Sequence, residues 1–600
     1  MKYKFSMIQS VLEKKWFVFI VGLITLLTII LLKPNSFYND YDLWWNLAYG
    51  KHFVNNLTFY INQYQFQWTP KNESFFIDVN WLGASILYLI YKYFNADGLI
   101  YFKWLCNSLV FLIMLLYVKK TKNRIYITHF SFIFICSLLF LGFLDLVNQH
   151  TLSFVVFVYF LFLYFLSRSL SDKWLWQLPI VYVFWINLHH GFMFGYLMLG
   201  VFFMGEIIEY LAIYKLKFKD YFLKRGLPIS LSFFAILINP YGIKYPLNIL
   251  TRFLFPKGPK GIVRFIKGMM PTYKSLTEFS NTLSLMAWLI VIIFLLMIIL
   301  SISLYIKKKY YDFPVLSGLI VCFYYSMQYR LGMAFFGAYT FFFLFYYLYK
   351  SGLKNLIPKL SLPALILSFG MFLFMFKLFL ININYSFSGK QLEKYTPKES
   401  CDFILNNDFP GPVYNPYLEG GYLIWKLYPK YKVFLDPRFA TYDKKFMLEF
   451  FQGPEEYAKD PSSFKGSITD YLSDKYGFNI VILRNDRPKL IFSFLKSSKK
   501  WKIAFIGRIA SILAKSEYLP KLNKEYFDKN YSPKRFIDEN DPKLLEKLFD
   551  IYINFDINSA ILISKIYDKN VSYRYYFKNK EIEIMRRAIN NKLKKLSCIH

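Results

Sequence analysis

Five short polar clusters interrupt a strongly apolar chain, and their residue types suit proton transfer and anion recognition. Asp40-Tyr41-Asp42 supplies two carboxylates. Asn148-Gln149-His150 and Asn187-Leu188-His189-His190 supply amides and imidazoles, while Glu278 and Arg330 stand singly. A carboxylate can take a proton from a hydroxyl, and a carboxylate pair can hold a hard divalent cation through its oxygens. Arginine grips a phosphate through two parallel N–H bonds. Asp145, just before the second cluster, adds an acid able to serve substrate or metal. Each cluster also has an ordinary structural use, since aspartate and asparagine cap helices and arginine snorkels to lipid head groups. Two adjacent histidines cannot both face inward from one regular helix, so only one of His189 and His190 is expected at a site.

The elements that must position these clusters are membrane spans. Hydrophobic residues make up 56% of 600 and aromatics 22%, in runs near the ~20 residues that cross a bilayer. Apolar runs fall at 16–32, 99–118, 125–144, 152–166, 174–186, 192–211, 227–238, 285–305, 315–327, 333–349 and 362–380. They make about eleven spans, or up to about thirteen if ambiguous segments also cross. The first run follows Lys2, Lys4, Lys14 and Lys15 with no cleavage site behind it, so it reads as a retained span with a cytoplasmic N-terminus. Lys119 to Arg124, residues 215–225, Lys307-Lys308-Lys309, and Lys350 with Lys354 and Lys359 then face the cytoplasm, as basic loops should. All five clusters fall on the opposite, outer face. The outer connection 240–284 is basic against that rule, which long loops escape, and it forms a phosphate-attracting surface. Residues 81–94 are apolar but too short for a crossing, and are expected as an interfacial helix on the outer surface.

From about residue 385 the composition changes to short apolar runs with frequent charge. The expected division is a transmembrane unit, 1–384, with outer loops 33–98 and 240–284, and an extracytoplasmic α/β unit, 385–600. Residues 432–435 and 479–483 read as buried strands, 505–513 as a strand or hairpin, and the Lys-rich tail from Pro542 as helical. Gly420-Gly421 and Asp436-Pro437-Arg438 read as turn and strand-end residues, where binding groups commonly sit. The five cysteines, Cys106, Cys136, Cys322, Cys401 and Cys598, show no metal or disulfide spacing. A net charge of +34 spread over loops favours membrane lipids and lipid-linked phosphates as partners, and not nucleic acid. No phosphate-binding glycine loop or Gly-x-Ser-x-Gly elbow is present, so a nucleotide co-substrate is not expected.

Several strings resemble the motifs of bacterial GT-C-type membrane glycosyltransferase-like proteins. These are Asp40-Tyr41-Asp42-Leu43-Trp44-Trp45-Asn46-Leu47-Ala48-Tyr49-Gly50, Asn80-Trp81-Leu82, Trp185-Ile186-Asn187-Leu188-His189-His190-Gly191-Phe192 and Asn239-Pro240-Tyr241-Gly242. Gly420-Gly421-Tyr422-Leu423-Ile424-Trp425 and Val433-Phe434-Leu435-Asp436-Pro437-Arg438 continue the order. The resemblance implies an α-helical polytopic GT-C-like protein of the cytoplasmic membrane with a C-terminal extracytoplasmic α/β domain. The wider superfamily includes protein mannosyltransferases, aminoarabinose transferases and oligosaccharyltransferases. Such enzymes move a sugar from a polyprenyl-phosphate carrier to a glycan, lipid or protein, and several bind a divalent cation such as Mg or Mn. By position, Asp42 or Asp40 would be the catalytic acid of the first outer loop, and Asp42 with Asp145 would hold the cation. Their chemistry assigns Arg330 and His189 to the donor phosphate, and His150, Asn187, Glu278 and Asp436 to substrate or supporting roles. The chain departs from the pattern at Val79-Asn80, where His-Glu is usual, and at Gln149-His150, where Arg-Pro is usual. Two other readings compete: a non-catalytic envelope assembly or polysaccharide-binding protein on the same scaffold, and a lipid or glycan transporter. The transporter needs a polar path through the membrane, whereas Glu206 and Glu209 lie near an inner end.

Overall fold

A computed structural model describes residues 12–31, 41–62, 64–69, 80–121, 124–144, 147–213, 218–254, 271–277, 282–308, 311–350, 356–366, 369–370, 373, 395–436, 468–496, 501–519, 530–539, 541–553 and 557–571. Asp40, Asp145, Glu278 and most of the expected span 362–380 lie outside the described residues. The chain divides into two compact units, one of residues 1–61 and 77–391, the other of 62–76 and 392–600.

The first unit is helical. Its elements are α1 (Lys15–Leu31), α2 (Tyr41–Asn56), α3 (Trp81–Lys120), α4 (Ile127–Leu144), α5 (Gln149–Ser169) and α6 (Leu178–Leu188). They continue as α7 (Phe192–Ile207), α8 (Leu227–Phe234), α9 (Lys244–Leu254), α10 (Thr282–Lys308), α11 (Phe313–Gln328) and α12 (Gly332–Lys350). Among the described residues, five helices are long and apolar enough to cross a membrane: Trp81–Lys120, Gln149–Ser169, Phe192–Tyr210, Leu283–Lys307 and Gly332–Lys350. Where helices start, the sequence supplies acceptors: Asn148 takes the backbone N–H of His150 at 2.9 Å, and Asp312 takes that of Val315 at 3.1 Å. Aromatic rings fill the core, as where Tyr164 stacks on Phe202 at 3.8 Å.

Helix α3 is broken at Asn95, whose φ of 55° and ψ of −157° lie outside the helical region. Gly83, in its first half, sits against Leu188 and Gln149. Tyr117, in its second half, reaches the Ser169 hydroxyl at 3.2 Å, at the far end of α5. A straight helix from residue 83 to 117 would run about 50 Å, yet α5 between those contacts covers only about 30 Å at 1.5 Å per residue. The break disposes of the difference by turning residues 81–94 across the end of the bundle.

The far end of the bundle carries buried charge, all of it paired. Arg168 bonds to Asp312 at 2.6 Å and Glu209 at 2.7 Å. Arg225 bonds to Glu206 at 2.5 Å and also to Asp172. Buried ions are tolerated only when paired and hydrogen-bonded in this way. Glu206 and Glu209 therefore lock α7 to α5, α11 and the segment before α8, and do not line a polar path.

The second unit holds a four-stranded sheet in the order β1-β2-β4-β3: β1 (Val413–Tyr414), β2 (Ile480–Arg484), β3 (Trp501–Ile506) and β4 (Ala510–Lys515). β1 and β2 are parallel, with Val413 opposite Ile480, and β4 is antiparallel to both of its neighbours. The stretch 505–513 is thus part of a hairpin, closed by Gly507 N–H to Ala510 O at 3.0 Å. Residues 64–69 pack in this unit, although sequence placed them in an outer loop of the first. Val433 N–H donates to Phe66 O at 2.9 Å, Trp68 N–H donates to Val433 O at 3.0 Å, and the Trp68 indole donates to Val413 O at 3.0 Å. Phe66 and Trp68 pack on Tyr428 and Phe434, and Gln67 forms an isolated parallel bridge with Val433, so the expected strand at 432–435 is reduced to that single bridge.

Candidate functional site

Asp42 stands in the first turn of α2, where a carboxylate is favoured by the helix dipole. Its Oδ1 accepts the Trp45 indole N–H at 3.0 Å, and its backbone carbonyl accepts the Asn46 amide at 2.7 Å. The buried Asn46 and Gln149 side chains hydrogen-bond to each other, tying α2 to the start of α5. Gly50 lets α2 approach the Ala84 carbonyl of α3 closely enough that no side chain would fit. Asp42 keeps solvent contact, yet protein surrounds its carboxyl closely. Burial raises its pKa above the ordinary value, against lowering by the Trp45 bond and by His190.

The histidines are brought together by a break in the chain. Helix α6 ends at Leu188, and His189 is extended, with φ −169° and ψ 143°. His189 and His190 therefore do not share a helix, and the expectation that only one could reach a site fails for that reason. The His150 ring lies 4.2 Å from that of His189, and the His189 ring 3.9 Å from that of His190. One ring nitrogen from each of the three falls within 4.8 Å of the others.

Backbone contacts fix the orientation. The Gly191 N–H donates to His189 Nδ1 at 3.0 Å. In the neutral ring the proton then sits on Nε2, and that atom is buried without a partner. The His190 N–H donates to Asn80 Oδ1 at 3.2 Å. Asn187 accepts the Trp81 indole at 3.0 Å and donates to Val183 O and Ile238 O. Burial pushes the His189 imidazole well below its usual range, reinforced by its two histidine neighbours. His190 is exposed as a residue, yet the protein crowding its ring lowers its pKa, helped by His150 and opposed by Asp42.

Arg330 occupies a corner built like that of the histidines. Tyr329 is extended, its N–H donates to Tyr325 O at 3.0 Å, and Met333 N–H donates to Arg330 O at 3.2 Å. His189 N–H donates to Trp185 O at 3.1 Å, and Met193 N–H to His190 O at 3.1 Å. Arg330 and His190 thus hold equivalent places in two helix–turn–helix corners. The corners neighbour each other: Phe194 stacks on Tyr325 at 4.3 Å and packs on Phe335 at 4.7 Å. Arg330 Nε is buried with no hydrogen-bond acceptor. Asp42, the three histidines, Asn187 and Arg330 therefore share one end of the bundle, and the ion-pair cluster marks the other.

Beside Asn187 lies an open, mostly apolar groove of about 740 Å³, lined by Trp81, Ile180, Phe184, Leu237 and Pro240 among others. Asp436 belongs to the second unit, is fully buried, and lies against Gly420, whose lack of a side chain allows the close approach. Asn46 and Asn80 were not singled out as site residues from sequence. Asn46, four residues after Asp42 on one helix face, was the available signal. The donors gathered here are imidazole nitrogens, and Asp42 is not among the grouped ligands. Mg and Mn prefer oxygen ligands, so the imidazole group found among the described residues does not suit them, while Asp145, expected to hold such a cation with Asp42, lies outside the described residues.

No known family model matches this chain, and no curated protein matches it.

Proposed function

We propose that the protein is a membrane glycosyltransferase that moves a sugar from a polyprenyl-phosphate-linked donor to a glycan, lipid or protein acceptor on the outer face of the cytoplasmic membrane. The supporting observation is the pair of buried, unpartnered N–H donors, His189 Nε2 and Arg330 Nε, at the end of the bundle that carries Asp42. A buried donor without an acceptor costs free energy, and a phosphate oxygen is the acceptor that would relieve both. The apolar groove beside Asn187 suits the isoprenoid tail of such a donor.

In this reading Asp42, with Asp40 as alternate, takes the proton of the acceptor hydroxyl as its oxygen attacks the anomeric carbon. The bond to the carrier phosphate breaks, and the phosphate leaves with the electron pair. Arg330 and His189 donate to the oxygen on which charge grows, which stabilises the transition state more than the ground state. Attack opposite the leaving group inverts the anomeric centre. No step is routed through a hard cation.

The finer topology belongs to the same proposal: about eleven spans, a cytoplasmic N-terminus and an outer second unit. Residues 64–69, from the loop after α2, are hydrogen-bonded into the second unit, so whichever face holds that loop also holds that unit. A reporter active only in the cytoplasm, fused after Lys390, is expected to stay silent, and a bright signal would reverse the orientation. The activity is tested by giving purified full-length protein a radiolabelled polyprenyl-phosphate sugar and following transfer. Persistent absence of transfer with every lipid-linked sugar that accumulates in a deletion strain would leave the assembly-protein reading.

A further inference from the structure

The cluster of His150, His189 and His190 has no counterpart in the chemistry assigned above, in which only His189 is used. We infer that these three side chains hold a nitrogen-preferring transition-metal ion of the zinc class, with its fourth coordination position open. The inference stands on the histidine geometry and names the ion of the proposed site.

Three histidines with one open position form a known type of ligand set for zinc. The three nitrogens lie within 4.8 Å of one another. Zinc–nitrogen bonds of about 2.1 Å require nitrogens roughly 3.4 Å apart in a tetrahedron, so from 4.8 Å the widest pair must close by about 1.4 Å. Two of the rings can move: His190 is exposed and His150 half-buried, whereas His189 is 3% exposed. The exposed side also provides the way in. Asp42, within electrostatic range of His190, favours a cation without competing as a ligand.

His189 must change its proton to take part. Its Nδ1 accepts the Gly191 N–H, which leaves the proton on Nε2, the buried nitrogen without a partner. Ligation through Nε2 moves that proton to Nδ1, which can then no longer accept from Gly191. One backbone hydrogen bond is a small loss beside three metal–nitrogen bonds. Empty, the cluster is an N–H donor pointed at an anion; loaded, it presents the anion with a metal. An oxygen of a phosphate or a water would take the open position.

The test uses the full chain without a polyhistidine tag, purified in detergent, stripped with chelator and titrated with Co(II), then with Zn(II) as competitor. Expected are one ion per chain, a tetrahedral Co(II) absorption band and its loss on adding zinc. His150→Gln and His189→Gln should each weaken Co(II) binding by at least about tenfold. His190→Gln, at an exposed ring, guards against misfolding as the cause, since it should weaken binding while leaving the elution profile unchanged. His52→Gln, outside the cluster, should bind as wild type. The inference is overturned if wild type retains no ion after desalting, or if the histidine variants keep wild-type stoichiometry, which would mean an adventitious ion only. Metal content is read without turnover, so absence of sugar transfer in a metal-loaded protein would count against the glycosyltransferase reading alone.

Discussion

Replacing Asp42 by Asn separates chemistry from folding at this site. The amide keeps the carboxylate's shape, and its oxygen can still accept the Trp45 indole now held at 3.0 Å. The backbone bond from Asn46 to the residue 42 carbonyl is untouched. The fold loses a first-turn charge worth at most about 0.3–1 kcal/mol, and burial, which disfavours that charge, offsets the loss. What catalysis loses is the base, typically worth about 10²–10⁴ in rate, or about 3–5 kcal/mol of barrier at 1.36 kcal/mol per tenfold. The catalytic loss therefore exceeds the folding loss severalfold. Burial also raises the Asp42 pKa above 3.8. The base works ionised, so the acid limb of the wild-type pH–rate profile should lie above the ordinary aspartate range, and Asp42→Asn should abolish it. The stability sign is the reverse: an acid with a raised folded pKa loses stability as pH rises from 3.8 through the folded value. The assay is single-turnover transfer of labelled sugar by full-length protein in lipid nanodiscs, with thermal unfolding measured in parallel. If Asp42→Asn and Asp40→Asn, each folded, both transferred sugar at the wild-type rate, the mechanism would be wrong.

Arg330→Gln removes the buried Nε donor and its charge, and should weaken donor binding by about 10–100-fold, the scale of a charge-assisted hydrogen bond. Equal donor affinity in the variant, read by titration with labelled polyprenyl phosphate, would detach Arg330 from the phosphate. Arg225→Leu strands the buried Glu206 charge and should cost about 3–5 kcal/mol, while Arg225→Leu with Glu206→Leu should recover most of it; thermal unfolding in detergent decides.

The site was legible from sequence as residue types, and only partly as geometry. His189 and Arg330 were assigned to phosphate because of what imidazole and guanidinium can donate, and each carries a buried N–H without an acceptor. The three-histidine cluster was not legible. Reading His189-His190 as helical placed one of them outward, whereas the chain leaves the helix at Leu188 and turns both rings towards His150. Nothing local marks that break, because Gly191 acts through a hydrogen bond to His189 and not through its own torsion.

Sequence alone determined that the chain is a helical membrane protein, because ~20-residue apolar runs have few other stable homes and backbone groups in lipid must bond within the helix. It also determined the strands Ile480–Arg484 and Ala510–Lys515 in outline, through their apolar runs. Tertiary structure decided what depends on contacts distant in sequence. The separation of residues 81–94 from the span 99–118 is legible in sequence, and the break at Asn95 falls between them; tertiary contacts along α5 supply the reason a straight helix would be too long. Tertiary structure took residues 64–69 into the second unit, since their partners lie more than three hundred residues away. It also set the His189 proton on Nε2, since a tautomer is fixed by whichever group faces the other nitrogen.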